Sequence, residues 1–341
     1  MLFNNKEEIN QAMQGIATQD NGNLVINNAD KLRGDILDKL VLNAAINPSA
    51  EVKGLSRFII KAAALELGIV NSSIQGLYEA RGRGEIKGFT VPALNIRGLP
   101  YELCRAIFRT AIKTDAGAFI FELAKSEMNY TFQKPQELSA VILAAAIKEG
   151  YKGPVFIQGD HFQVNAKNYA QDKDKEIAGL KTLIENGIAG GFYNIDIDTS
   201  TLVDLSKPNV VEQQRANFEV GVELTKYVRE LEPAGITISV GGEIGEVGKE
   251  NSNEKELRAY LDNFNELLET EYSPCNNVLF TVTGYLPGAK FIKPSGLAII
   301  GVITHTANTN NNNPHICFVF SFIYTLNIYF LFLLKIFRIT T

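Results

Sequence analysis

An α/β fold, with parallel strands covered by helices, is predicted by three features of this sequence. Between residues 89 and 269, strand-like and helix-like segments alternate five times. The strand-like segments are mostly continuous apolar runs, the pattern of strands buried on both faces. Polar residues then collect where each of these runs ends. The length of 341 residues allows one large α/β domain or two small ones.

Residues 1–84 read as a helical extension that precedes the alternating region. In "ADKLRGDILDKLVLNAAI" apolar residues recur at helical spacing, and Asp30 is a candidate cap. "GLSRFIIKAAALELGIV" is a second helix, and "EARGRGEIKGF" then breaks the pattern with its glycines. From residue 85 to 273 the rhythm changes. The expected strands are "FTVPALNI", "GAFIFEL", "GPVFIQGDH", "GFYNIDIDTS" and "GITISVGGEIG". The expected helices are "LPYELCRAIFRTAIKTD", "PQELSAVILAAAIKEG", "DKEIAGLKTLIENGI", "VVEQQRANFEVGVELTKYVREL" and "NEKELRAYLDNFNELLE". Pro135 near the start and Gly150 after the end frame the second of these helices.

A doubly wound sheet and a closed barrel both fit five such units. The turn after the first strand, "NIRGLP", lacks the glycine-rich dinucleotide fingerprint. A (β/α)8 TIM-barrel type, incomplete and with an N-terminal helical extension, is therefore the expected fold class.

Composition excludes some functions. The net charge is −5 and no basic stretch interrupts the acidic balance, which argues against nucleic acid as a partner. Cys104, Cys275 and Cys317 are scattered and odd in number, which suits a reducing compartment and offers no zinc-finger spacing. The N-terminus lacks an apolar signal core, so a cytoplasmic location is expected.

In a parallel barrel the chemistry gathers where the strands end, because the βα loops converge there. The first strand ends on Asn95 and Arg97, and the second on Glu122, Lys125 and Ser126. The third carries Gln158, Asp160 and His161, and the fourth Asp196, Asp198, Thr199 and Ser200. The fifth ends on Glu243, with Glu246 and Glu250 in the loop beyond. Imidazole and carboxylate oxygens are common ligands of divalent metals, so His161 and Glu243 are candidates to share a cation. Asp196 and Asp198 alternate with isoleucines and so share a face, or one of them caps the next helix. Lys125 and Ser126 would touch a phosphate or lie exposed.

The segments "VPALNI", "GDH", "GFYNIDIDTS" and "SVGGEIGEVGKE", in this order, resemble the class II, metal-dependent fructose-bisphosphate and related ketose-bisphosphate aldolases. The resemblance covers about residues 85 to 270. It implies an aldehyde-lyase of carbohydrate metabolism and glycolysis, cleaving a fructose- or tagatose-type bisphosphate reversibly to dihydroxyacetone phosphate and an aldehyde. One Zn2+ per active site would be held by His161 and Glu243. Asp160 would move a proton at the aldehyde oxygen, and Glu250 would take the carbon-bound proton. Asn95, Asp198, Ser200 and Ser126 would bind substrate. The expected partners are a phosphorylated sugar and further copies of the chain, as a homodimer or homotetramer.

The family's two further histidines, in glycine-rich contexts, have no clear counterpart. His305 is strand-terminal in a different context, and His315 lies beside an asparagine tract. Residues 274–341 also change character. From Pro294 to Leu334 there is no Asp, Glu, Lys or Arg. This segment reads either as foreign to the aldolase-like portion, a frameshift, retained intron or wrong gene model, or as a membrane helix flanked by Lys335 and Arg338. The second functional class is accordingly an inactive or tail-anchored barrel protein that binds a sugar phosphate or a partner subunit.

Overall fold

A computed structural model describes the backbone of residues 2–20, 23–245, 252–271, 280–283, 297–305 and 316–324, and the side chains of 2–20, 23–245 and 252–268. It opens with helix α1 (Lys6–Ala12) and an antiparallel hairpin, β1 (Ala17–Asp20) and β2 (Asn23–Ile26). The turn α2 (Ala29–Lys31) then runs through a wide helical turn at 32–36 into α3 (Leu37–Ile46), and α4 (Ala50–Glu66) follows. The cap here is Asn28 rather than Asp30: its side chain accepts a hydrogen bond from Lys31 N at 2.9 Å. Gly34 leaves helical geometry and splits the helix that the spacing had joined.

The N-terminal region is tied into the sheet by an element the helical periodicity concealed. The end of "GLSRFIIKAAALELGIV" turns into strand β3 (Ile69–Ser72), and α5 (Gln75–Gly82) runs into the segment expected to break. Both are too short to carry a clear period.

The five expected units follow. They are β4 (Ala93–Asn95) with α6 (Pro100–Thr114), then β5 (Ile120–Ala124) with α7 (Lys125–Thr131) and α8 (Pro135–Glu149). Next come β6 (Gly153–Asp160) with α9 (Ala166–Gln171) and α10 (Lys173–Gly190), and β7 (Asn194–Ile197) with α11 (Val210–Glu230). The fifth is β8 (Ser239–Glu243) with α12 (Glu254–Glu271). Adjacent members of β4–β5–β6–β7–β8 pair in parallel, so the chain is an α/β protein built on a parallel five-stranded sheet. Strand β3 pairs with the first half of β6. Beyond β8 lies parallel β9 (Phe280–Thr283). The antiparallel pair β10 (Leu297–His305) and β11 (Ile316–Tyr324) joins β9 on one side and β4 on the other. The first half of the apolar C-terminal run is thus a strand, and among the described residues no helix is long and apolar enough to cross a membrane.

The strands differ from the sequence reading in one respect that matters. They are buried on both faces, yet they alternate. Leu94, Phe121, Leu123, Val155, Ile157, Ile195, Ile197 and Val240 pack with the helices in the main core. Residues of the opposite parity form layers on the other face, because side chains alternate along a strand. The lowest layer is apolar: Ala93, Ile120 and Phe156 pack against Ile74 and Tyr78, so α5 and the turn before it close that end. One step up, the register aligns Asn95, Glu122, Gln158 and Asn194 in a row. The next row holds Asp160, which pairs with Ala124, and Asp196, which pairs with Gly241.

Gly159 sits in β6 where an added Cβ would overlap the ring of Phe162, which is fully buried. Gly159→Ala is expected to destabilise the fold by about 1–3 kcal/mol, because a caged ring cannot yield. Urea denaturation would measure it, and an unchanged midpoint would contradict this packing.

Candidate metal and acid–base site

His161 comes one residue after β6 and has a φ of 45°. A left-handed backbone at a non-glycine costs on the order of 1–3 kcal/mol and persists only where neighbours enforce it. Here they do. His161 N donates to Asp196 Oδ2 at 3.3 Å, and Phe162 N and Val164 N donate to the carbonyls of Asp196 and Asp198, each at 2.9 Å. In a regular strand Asp160 and His161 would face opposite ways; the turn brings both to one cluster.

Within it, His161 Nδ1 lies 3.1 Å from Asp198 Oδ2 and 3.1 Å from Glu243 Oε1. Three neighbouring strand ends therefore meet at one ring. Asp198 is fixed on its other oxygen by Ser200 N at 3.1 Å and Ser200 Oγ at 2.6 Å, and Gln163 Nε2 donates to the same oxygen as His161. The backbone around Glu243 is held from α11: Asn217 Nδ2 donates to Glu243 O at 2.8 Å, and Gln214 Nε2 donates to Ile244 O at 2.6 Å. On the other side, Asn95 Nδ2 donates to Asp160 Oδ2 at 3.0 Å and to Glu127 Oε2 at 3.1 Å. Glu127 also accepts from Ala124 N and pairs with Arg97.

The site is acidic and buried. Asp160, Asp196, Asp198, Glu122, Glu127 and Glu243 are all at least 94% buried. Burial, then the neighbouring carboxylates, pushes Glu122 and Asp196 well above the usual carboxylate range. Burial also raises Asp160 and Glu243, with His161 working against it. Asp198 goes the other way: burial opposes its charge, but hydrogen bonds from His161, Ser200 and Gln163 hold it below the ordinary value. Hydrogen bonds to Asp198 and then Glu243 raise His161 against the effect of burial, so its ring carries a proton in the absence of a cation. Two groups here could hold a metal ion, each with its ligand atoms within 4.8 Å of one another: Asp160, His161 and Asp196, and His161, Asp198 and Glu243.

The structure brings together Asn95, Asp160, His161, Asp198, Ser200 and Glu243. Ser126 lies exposed in the first turn of α7, outside the cluster's hydrogen bonds. Lys125 reaches Gln163 O at 2.9 Å and Glu176 at 3.5 Å. Glu250 and His315 fall outside the described residues, as does the side chain of His305. Asp198, for which the resemblance implies a substrate contact, places its carboxylate at the imidazole. Asp196 is no helix cap: it braces the His161 backbone. Glu127 was missed altogether. An acid in a first helical turn looks like an ordinary dipole partner, and only the packing of α7 on β4 and β5 buries it.

No model of a known protein family matches the chain, and no curated protein matches it. Among solved structures, a probable tagatose 6 phosphate kinase from Sinorhizobium meliloti is similar over 52% of this chain, at 15% identity and a TM-score of 0.39. The similarity takes in 45% of that chain, so the present chain spans less than half of its length.

Proposed function

We propose that this chain is a divalent-metal-dependent aldehyde-lyase of the class II aldolase type, cleaving a ketose bisphosphate reversibly to dihydroxyacetone phosphate and an aldehyde. The observation that carries the reading is the imidazole of His161 set between Asp198 and Glu243, with Asp160 beside it at the same strand ends. A (β/α)8-type barrel is part of the proposal. Its support is the ring of pairings that leads from β4 through β8 and β9 to β10 and β11, and back to β4, with β6 and β7 joined directly. A cytoplasmic homodimer or homotetramer is the form we assign to it.

The donor set fits a divalent cation. It offers one imidazole nitrogen and several carboxylate oxygens, and a buried Asp196 oxygen has no hydrogen-bond partner among the described residues. One nitrogen among oxygens suits Mn2+ or Mg2+ as well as the Zn2+ that the resemblance implies. His161, Asp198 and Glu243 would hold the ion, which would supply Lewis-acid polarisation of a ketone oxygen.

The chain's own residues supply the proton chemistry. Burial raises Asp160 above the usual carboxylate value, the direction that suits a residue giving a proton, and Asn95 fixes its orientation through Oδ2. Glu127 in turn anchors Asn95 and ties Arg97 to the mouth of the site. Ser200 and Gln163 hold Asp198 beside His161, so a carboxylate oxygen faces the imidazole. The carbon-bound proton goes, by resemblance, to Glu250.

Purified chain supplied with Zn2+ or Mn2+ is expected to release dihydroxyacetone phosphate from fructose or tagatose 1,6-bisphosphate. Absence of cleavage with either sugar and either metal would remove the lyase reading. His161→Ala should lose bound metal, whereas Asp160→Asn should keep the ion at His161 and slow cleavage by roughly 10²- to 10⁴-fold. Equal metal content in wild type and His161→Ala would cancel the ligand assignment.

A pH dependence follows from the same ring. The proton on His161 is held more tightly than usual, so it is still bound near neutrality and is lost only as pH rises. A cation must displace it, so apparent affinity should rise with pH, by up to about tenfold per unit for one proton. Calorimetry in two buffers of different ionisation enthalpy would show the proton released; affinity independent of pH between about 6 and 8 would contradict this account.

A further inference from the structure

One cation stands at the mouth of this acidic site with donors unspent. Arg97 follows β4 by two residues, on the same side of the chain as Asn95. Ile96 between them is fully buried, and its N–H continues the strand pairing to Glu122 O at 3.0 Å. Arg97 Nε donates to Glu127 Oε1. Glu127 is only 4% exposed, and its other oxygen accepts from Asn95 Nδ2 at 3.1 Å and from Ala124 N at 2.9 Å. A buried carboxylate thus holds the guanidinium through Nε. Nη1 and Nη2 make no hydrogen bond among the described residues, and the side chain is 34% exposed.

A guanidinium offers paired N–H groups whose geometry matches a phosphate or carboxylate, and its charge persists at every working pH. Lys125, the cation that follows β5, is spent differently: it reaches Gln163 O at 2.9 Å and Glu176 at 3.5 Å. The place of Arg97 along the sheet adds a direction. Strands β4 to β8 pair in sequence order, with Arg97 after β4, Asp160 at the end of β6, Asp198 after β7 and Glu243 at the end of β8. Asp160 therefore lies between Arg97 and the carboxylates at His161. Asn95 Nδ2, which donates to both Glu127 and Asp160, links the two sides.

We propose that Arg97 binds the phosphate on the aldehyde half of the substrate, the 6-phosphate of a ketose bisphosphate, through Nη1 and Nη2. The assignment rests on the lyase reading above and deepens it. With the ketone at the His161 side and Asp160 at the hydroxyl that becomes the aldehyde oxygen, the rest of the carbon chain continues towards β4. There the free donors of Arg97 are waiting. A phosphate brought beside so many carboxylates needs a fixed positive charge, and Arg97 supplies it while Glu127 orients it. The residue is thus a specificity determinant: it favours a phosphorylated aldehyde over an unphosphorylated one.

Two measurements on the full, metal-loaded chain test this. Fructose 6-phosphate carries only the phosphate in question, and its binding can be read by calorimetry without cleavage. Wild type should bind it about 10- to 100-fold more tightly than Arg97→Met, the cost of a charge-assisted hydrogen bond, with equal metal content in both. In cleavage, the preference for fructose 1,6-bisphosphate over fructose 1-phosphate, as the ratio of kcat/KM values, should fall by about the same factor in Arg97→Met. Arg97→Lys keeps the charge and loses the fork; it serves if the first variant does not fold, and should fall between the two. Equal loss on both sugars would make Arg97 a support for Glu127 alone and overturn the subsite. So would fructose 6-phosphate binding that is the same in wild type and variant, or absent from the wild type. Binding that depends on Arg97, with no cleavage of any bisphosphate, would leave the phosphate subsite standing and remove the lyase reading.

Discussion

One imidazole faces a buried set of carboxylates. The ring of His161 contacts Asp198 and Glu243, while Asp160 and Asp196 lie within reach of the same ring. Taking that many acids out of water is expensive unless each is paired, hydrogen-bonded or neutralised by a proton. The arrangement uses all three devices. Asp198 stays charged because three side chains donate to it, Asp160 accepts from Asn95, and Glu122 and Asp196 are pushed towards their neutral forms. Charge this concentrated is a cost that a purely structural core would have no reason to bear.

The surrounding fold works to hold that cluster. The left-handed turn at His161 is kept by hydrogen bonds that carry the pairing of β6 and β7 past the strand ends. Asn194 stitches the N-terminal region to the sheet: its Oδ1 accepts from Ile74 N at 2.8 Å and its Nδ2 donates to Ile157 O at 3.0 Å. At the far end, Thr199 donates to Asn217 Oδ1 at 2.6 Å, and Asn217 Nδ2 donates to Glu243 O, so the β7 turn, α11 and the Glu243 backbone are tied together. Side chains whose own supports are locked make a site more exact than loops alone can.

Much of this was legible in the residues. The five strand–helix units follow from the change of hydrophobic rhythm at residue 85 and from Pro135 and Gly150 around α8. Asp160, His161, Asp198 and Glu243 were visible as polar residues ending apolar runs. What escaped notice was either short or dependent on distant packing. Strand β3 is four residues long with polar Asn71 and Ser72 in it, too little for a period to emerge. Glu127 lies in the seven-residue helix α7, too short to announce itself by period, and is buried by its neighbours.

The amino-acid order by itself determined the α/β alternation and which residues arrive at the strand ends, because hydrophobic period and turn residues act locally. Only the tertiary structure decided which of those residues meet. Strand register sets Asn95 beside Glu122 and Gln158, and a single positive φ turns His161 towards Asp198 and Glu243. Register and backbone turning depend on partners far along the chain, and no local pattern of residues encodes a distance between them.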